Sequence, residues 1–396
     1  MGNLIDNILN KTTELFGKSS NPSVLGIDIG SSSIKVVQIQ KKNNRAVLQT
    51  YGEIALGPYA GVEVGRSTKL DSKKLSEALS DLLKESNTST TQSALSIPMN
   101  MSMVSVISLP EADKKKLGQM VQMEARKYIP VPITEVAMDW FVIPRPEIEQ
   151  EDSKFSVKPG TFESGPSSIN RDPAVSSGDF KKVETMIVAI HNDTLNDFSA
   201  VVQNTSLNSS FFEIEMFSTA RSVLDFNYTN PVMIIDIGAS ATKVYITERG
   251  VVRASHNAGR GSQDLTLNIS RSMNLDIAFA EKIKRNYGLN DPDKDKKISE
   301  LIDNIFNPIF SSANDIMVDY QRKNHKIISK IIMVGGGSLL TGIKEKAQRY
   351  FSVETELGLP FEKLQTPAFL DPVLKKNGVI FAGAIGLAVR LLQESS

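Results

Sequence analysis

The chain has 396 residues, with 45 Lys plus Arg against 45 Asp plus Glu, 40% hydrophobic residues and no cysteine. At roughly 100 to 200 residues per domain, such a length predicts two or three compact units. Balanced charge supplies no global field for a polyanion, so no nucleic-acid partner is expected. The missing cysteines exclude disulfides, thiolate metal sites and a cysteine nucleophile. No stretch reaches the ~18 to 20 apolar residues that cross a bilayer; residues 378–392 come nearest and carry Arg390. The N-terminus lacks a secretory pattern, and Asp6 stands where a myristoylation signal wants Ser or Thr. A cytoplasmic location is expected.

In chain order, residues 1–18 form an amphipathic pattern, with Leu4, Ile5, Ile8 and Leu9 on one face and Leu15 and Phe16 close to it. Docking on protein, adsorption at a membrane and a free tail are the alternatives for this segment. A hairpin follows, its second strand running from Ile34 to Ile39, and then a helix starting near Asp71 that aligns Leu75, Ala78, Leu79, Leu82 and Leu83. Residues 91–109 read as two strands around Pro98, residues 111–128 as a helix and residues 138–143 as a strand with Trp140 in a core, together a small inserted βαβ-like unit. Residues 144–180 are rich in Pro, Gly and Ser and lack Leu, a composition expected to stay mobile and disordered. Next come a strand over 182–190, helices over 193–204 and 214–225, and a second hairpin whose outgoing strand is Thr242 to Thr247. Residues 263–287 and 298–324 read as helices, the latter kinked at Pro308. A buried strand over 331–334 enters Gly335-Gly336-Gly337-Ser338, and residues 340–351 are helical. The final helix, 379–392, carries Gly383 and Gly386, which permit close backbone approach to a neighbour.

The two hairpins are an internal repeat: D-I-G-x-S-x-x-K-V occurs at Asp28 to Val36 and again at Asp236 to Val244. A glycine after the Asp lets backbone N–H groups of the turn point at a phosphate. Two such turns, Gly30-Ser31-Ser32-Ser33 and Gly238-Ala239-Ser240, make a pair of jaws for a polyphosphate, with Lys35 and Lys243 as cations. Asp28 and Asp236 suit a magnesium ion held through its waters. The alternative is that each D-I-G closes a tight turn and nothing more. Gly335, Gly336, Gly337 and Ser338 form a third backbone-exposed turn, suited to phosphate or to close stacking by an adenine. Leu340 stands at the third glycine position of a dinucleotide fingerprint, and no P-loop motif occurs. His191, His256 and His325 are too scattered for a metal site.

Hairpin, hairpin and glycine turn, in this order, resemble the actin-like ATPase superfamily. Within it the chain is most similar to the PilM family of type IV pilus assembly, on Leu25 to Val37, Glu124 to Ile133, Ile235 to Ser240 and Phe381 to Arg390. The resemblance implies an α/β, actin-like two-lobed fold with duplicated RNase H-like cores, a cleft between lobes and a small inserted α+β subdomain. The chain then divides into an N-terminal helix and linker at 1–22 and a first lobe at 23–230, with the insertion at about 91–190. A second lobe takes 231–374, and residues 375–396 form a helix returning to the first. The resemblance implies ATP and Mg2+ as ligands, with Glu281 and Lys284 at ribose and adenine. Glu215 falls where relatives carry a Glu or Gln near the hydrolytic water, or else is a surface residue. The partner it implies is the cytoplasmic tail of a PilN-like inner-membrane protein, with pilus motor components and self-association as further possibilities and membrane association mainly through partners. Tyr128, Ile129 and Pro130 either line the partner groove or end a helix. The departures are Asn257-Ala258-Gly259-Arg260-Gly261, where relatives usually carry a Gly-Gly pair, the long 144–180 loop and the N-terminal helix. Rival readings are an actin-like cell-division protein forming membrane-associated filaments and a metabolite kinase; the latter needs a carboxylate base in a substrate pocket, and no such constellation is legible.

Overall fold

The computed structural model describes residues 22–144, 181–225, 227–287 and 296–395. The expected N-terminal helix at 1–18 and all but the first residue of the 144–180 loop lie outside the described residues. The elements are β1 (Ser23–Ile29), β2 (Ser33–Lys42), β3 (Arg45–Ala55), α1 (Ser72–Glu85), β4 (Gln92–Ile97), β5 (Ser102–Pro110), α2 (Lys114–Ala125), β6 (Val136–Val142) and β7 (Lys182–His191). They continue with α3 (Asn192–Asn204), β8 (Asn208–Ile214), α4 (Glu215–Val223), β9 (Val232–Ile237), β10 (Thr242–Glu248), β11 (Val251–Ala258), α5 (Ser262–Met273), α6 (Ile277–Tyr287) and α7 (Lys296–Asn324). The last are β12 (Lys330–Val334), α8 (Ile343–Phe351), β13 (Thr355–Leu357), α9 (Asp371–Asn377) and α10 (Ala382–Glu394).

The repeat read from nine residues extends to whole sheets. One sheet has the order β3-β2-β1-β4-β8 and another β11-β10-β9-β12-β13. In both, the strand ending in D-I-G pairs antiparallel with its hairpin partner and parallel with its other neighbour. Alternation along β1 sends Leu25, Ile27 and Ile29 to a core with α1 and α3, and Val24 to a second core with α10. In the second sheet, Met233, Ile235 and Ile237 of β9 meet Phe306, Ile309 and Phe310 of α7. Asp71 caps α1 by accepting from the Lys74 N–H at 2.8 Å, which fixes the start that the sequence predicted.

Helix α10 approaches its neighbours closer than any side chain allows. A Cβ added to Gly26 of β1 would fall 1.9 Å from the Ala384 carbonyl oxygen, and one added to Gly386 would fall 1.8 Å from the Ser218 carbonyl oxygen of α4. By length and hydropathy the helical run Ala368–Glu394 passes as a membrane span. Its apolar side chains Ala384, Ile385, Leu387, Ala388 and Leu391 are buried in the first-sheet core, which marks it as a core helix.

Several expectations change. The single helix over 263–287 is two: Asn274 ends α5 in the left-handed region with φ 52°, and Asp276 accepts from the Phe279 N–H at 3.0 Å as α6 begins. Strand β4 is paired with β1 in the first sheet, and the separate compact unit begins at Val104 and ends at Ala189, later than the expected start at 91. That unit has a sheet of order β5-β7-β6. Trp140 of β6 is half-buried rather than a core residue, its ring against Gly118 of α2. The Gly386 contact gives a test: Gly386→Ala forces backbone apart and is expected to destabilise the protein by about 1 to 3 kcal/mol in chemical denaturation. A variant as stable as the parent would mean that α10 can slide without loss.

Candidate functional site

The D-I-G hairpins build the site from local rules. Seven residues of separation across a tight antiparallel turn put Asp28 directly opposite Lys35 and Asp236 opposite Lys243, so each acid and base share one face of their sheet. Gly30 donates to the Ser33 carbonyl and Gly238 to the Ala241 carbonyl, both at 3.0 Å. A Cβ at either glycine would lie 3.1 or 2.9 Å from that same carbonyl oxygen, so the glycines serve the turn as well as any ligand. The two turns face each other: Ser240 donates to the Ser31 hydroxyl at 3.0 Å. Around them lies a cavity of about 750 Å³, inside the range of small-molecule sites of roughly 300 to 1,000 Å³.

Charge is concentrated behind the turns. Ser96 of β4, fully buried, donates to Asp28 Oδ1 at 2.6 Å and fixes that carboxylate. Glu215, the first residue of α4, is buried rather than a surface residue. Its Oε1 accepts from the Met99 N–H at 2.7 Å and its Oε2 from Lys243 Nζ at 2.9 Å. Lys243 also reaches Asp236 at 3.4 Å. Burial pushes the Glu215 carboxyl up; Lys243 opposes this, and Asp236 and Asp28 add to it. For Lys243 burial works against the ammonium, but Asp236 and Glu215 outweigh it and hold the group above the usual lysine value.

The glycine turn works by close approach. Gly335 has φ 80°, and a Cβ there would lie 2.4 Å from Asp236 Oδ1; at Gly337 it would lie 2.1 Å from the Ile237 side chain. Gly335, Gly336 and Gly337 line the cavity with both hairpins. Ser338 does not: it is buried and its hydroxyl donates back to the Val334 carbonyl. The glycines lead into a 3-10 turn, Gly336–Leu339, instead of the expected helix start. Gly261 packs so closely on Ala239 that a Cβ would lie 2.4 Å from its carbonyl oxygen.

Helix α6 brings Glu281 and Lys284 to the cavity wall, already paired at 2.7 Å. Glu281 accepts as well from Thr266 Oγ1 at 2.6 Å and Arg285 Nε at 2.9 Å. Tyr128, Ile129 and Pro130 belong to the separate unit. There Tyr128 and Pro130 are exposed while Ile129 is buried in that unit's interior, so Ile129 offers no side chain to a partner. Sequence reasoning missed Ser96, the Met99 N–H, Glu53 beside Lys35, and Thr266. None stands in a repeated motif, and only chain folding brings them to the motif residues.

Glu281 yields a pH test. Burial raises its carboxyl, but Lys284, Thr266 and Arg285 outweigh that and hold it below the ordinary glutamate value. Its contribution to stability is therefore complete at neutral pH and fades as pH falls through the ordinary range toward the lower folded value. Glu281→Gln is expected to melt a few degrees below the parent at about pH 7, with the gap narrowing between about pH 5 and 3. A gap that widened on acidification would contradict the assignment.

A sequence profile of the family described as Type IV pilus assembly protein PilM matches residues 26–156 and 173–392. Among solved structures, a PilM-PilN type IV pilus biogenesis complex superimposes with a TM-score of 0.73 at 21% identity, covering 93% of this chain and 98% of that one. The ethanolamine utilization protein EutJ of Carboxydothermus hydrogenoformans gives 0.51 at 15% identity over 97% and 96% of the two chains. MreB5 of Spiroplasma citri bound to ADP gives 0.51 at 10% identity over 94% and 97%. These likenesses establish an actin-like fold. The cell division protein FtsA of Buchnera aphidicola is 22% identical over 218 residues, 48% of this chain and 52% of that protein; the chain thus spans about half the length of this relative. FtsA of Staphylococcus epidermidis is 20% identical over 372 residues, 88% of this chain and 77% of that protein. Because the family profile takes in both D-I-G hairpins, the sheets built on them and the final helix, the chain belongs to the PilM family of type IV pilus assembly proteins.

Proposed function

We propose that this protein is an ATP-binding, actin-like scaffold of type IV pilus assembly that grips the cytoplasmic tail of a PilN-like protein at the inner face of the membrane. The observation that carries the nucleotide part is the meeting of two equivalent turns, Ser31 against Ser240, over one cavity whose wall includes three glycines of a third turn. Backbone N–H groups without Cβ atoms suit phosphate oxygens. The MreB5 relative was solved with AMPPNP and with ADP, which favours the same ligand class here.

The charges behind the turns argue for a metal. Asp28, Asp236, Glu215 and the half-exposed Glu53 outnumber the two hairpin cations, Lys35 and Lys243, so an incoming polyphosphate meets excess negative charge. A magnesium ion supplies neutralisation and a template for phosphate oxygens. Asp28, fixed by Ser96, and Asp236 are the groups that would hold its waters. Lys35, which donates to Ser33 Oγ at 2.7 Å and lies 3.5 Å from the half-exposed Glu53, is the lysine best placed to turn toward phosphate.

Mg-ATP is expected to raise the melting temperature, since at a hundredfold excess over Kd a ligand adds about 2.7 kcal/mol. Asp28→Ala and Asp236→Ala are each expected to reduce that shift. A melting curve indifferent to Mg-ATP, in protein free of copurified nucleotide, would falsify the nucleotide reading.

The partner part draws on the family and on the relative solved as a PilM-PilN complex. Tyr128, 48% exposed after α2, offers an apolar anchor of the kind that extended peptides use. Tyr128→Ala is expected to weaken binding of a PilN-type tail several-fold while Lys114→Ala does not, read by fluorescence anisotropy on folded protein. Equal affinities for both variants would move the groove elsewhere. The FtsA likeness keeps one rival open, a membrane-associated filament. Nucleotide-dependent sedimentation of the pure protein without the tail would favour it.

A further inference from the structure

The repeat gives each hairpin a lysine at the same position, yet their surroundings differ. Lys35 Nζ touches a serine hydroxyl and one carboxylate at 3.5 Å whose side chain is 39% exposed. Lys243 Nζ lies between two enclosed carboxylates, Glu215 at 2.9 Å and Asp236 at 3.4 Å, with side-chain exposures of 11% and 14%. It is tucked beneath the second turn, 3.6 Å from where a Gly238 Cβ would stand. The difference has a structural source. Helix α4 presents Glu215 to the second hairpin, whereas α10 presents Gly383 to the first, against the Asp28 carboxylate. One lysine has gained a fixed acidic partner from the neighbouring helix, and the other has not.

We propose that Lys243 restrains Glu215, so that the cleft retains nucleotide and turns it over slowly; this rests on the nucleotide reading above. Hydrolysis needs a base for the attacking water: its oxygen bonds to the terminal phosphorus, the bond from that phosphorus to the oxygen bridging it to the departing diphosphate breaks, and the water proton passes to the base and then to a phosphate oxygen. Of the cavity carboxylates outside the two hairpin acid positions, Glu53, Glu215 and Glu281, Glu215 is the most enclosed, and it would be that base. An ammonium at 2.9 Å neutralises it, and the Met99 N–H at 2.7 Å holds its other oxygen. Its orientation is therefore fixed toward β10 and the backbone. Lys243 is a positioning residue in this scheme, and hydrolysis is held back by one ion pair.

Three measurements test this. Lys243→Met is expected, at saturating Mg-ATP, to hydrolyse at least about tenfold faster than the parent, since a positioned base contributes about 10²- to 10⁴-fold, and the gain is expected to grow toward alkaline pH, because without Lys243 the buried Glu215 carboxyl is pushed up further and must lose its proton to act as base. The double variant Lys243→Met with Glu215→Gln is expected to lose that gain. In the parent protein with magnesium and a non-hydrolysable ATP analogue, a crystal structure is expected to retain the Lys243–Glu215 pair. The proposal is overturned if the turnover of Lys243→Met does not rise at any pH tested, if the gain survives Glu215→Gln, or if Lys243 Nζ moves to a phosphate in the bound parent. Should Lys243→Met not fold, the bound parent structure decides. A parent that binds no nucleotide at all would instead refute the reading of the cleft, a separate outcome visible before any variant is made.

Discussion

The architecture depends on how closely one helix can lie against its neighbours. Helix α10 touches β1 through Gly26 and α4 through Gly386, backbone on backbone. These contacts bring the last helix of the chain against the first strand, and α4 against α10, while α4 in turn reaches β10 through Glu215 and Lys243. Two sheets of identical strand order are thereby joined at their D-I-G ends. A side chain at either glycine would set its Cβ 1.9 or 1.8 Å from a carbonyl oxygen, so the backbone there would have to shift.

At this junction the duplication stops being symmetric. Gene duplication repeats a sequence, but each hairpin meets a different helix, and the helix decides the chemistry. Asp28 receives a buried hydroxyl from Ser96 and the bare carbon of Gly383; Asp236 receives Lys243 and the tight bend at Gly335. Enclosure strengthens each of these pairings, because a charge removed from water depends on its protein partners. Glu215 adds one more connection: its contact with the Met99 N–H ties the cleft to the chain four residues short of Met103, where the first compact unit gives way to the second.

Much of this was legible in the sequence because it is local or periodic. The hairpins follow from nine residues whose turn geometry needs a glycine and whose alternation sets the buried face. The start of α1 at Asp71, the close packing of the final helix through Gly383 and Gly386, and the membership of the PilM family were readable for the same reason. Boundaries were less so: the break at Asn274 rests on one residue entering the left-handed region, and the assignment of β4 to the first sheet rests on pairing with β1, far away in the chain.

What the sequence by itself determined is the duplicated α/β framework and which acids, lysines and glycines gather at its centre, since short-range sterics and the period of two along a strand act within a few residues. What only the tertiary structure decided is the environment of each: that Glu215 is buried and bound to Lys243, that Ser338 turns away from the cavity, that Ile129 is buried, and that Lys35 pairs with the half-exposed Glu53 instead of an enclosed acid. Burial and ion pairing depend on residues brought together from distant parts of the chain, and two copies of one motif carry no mark of which helix will come to lie beside them.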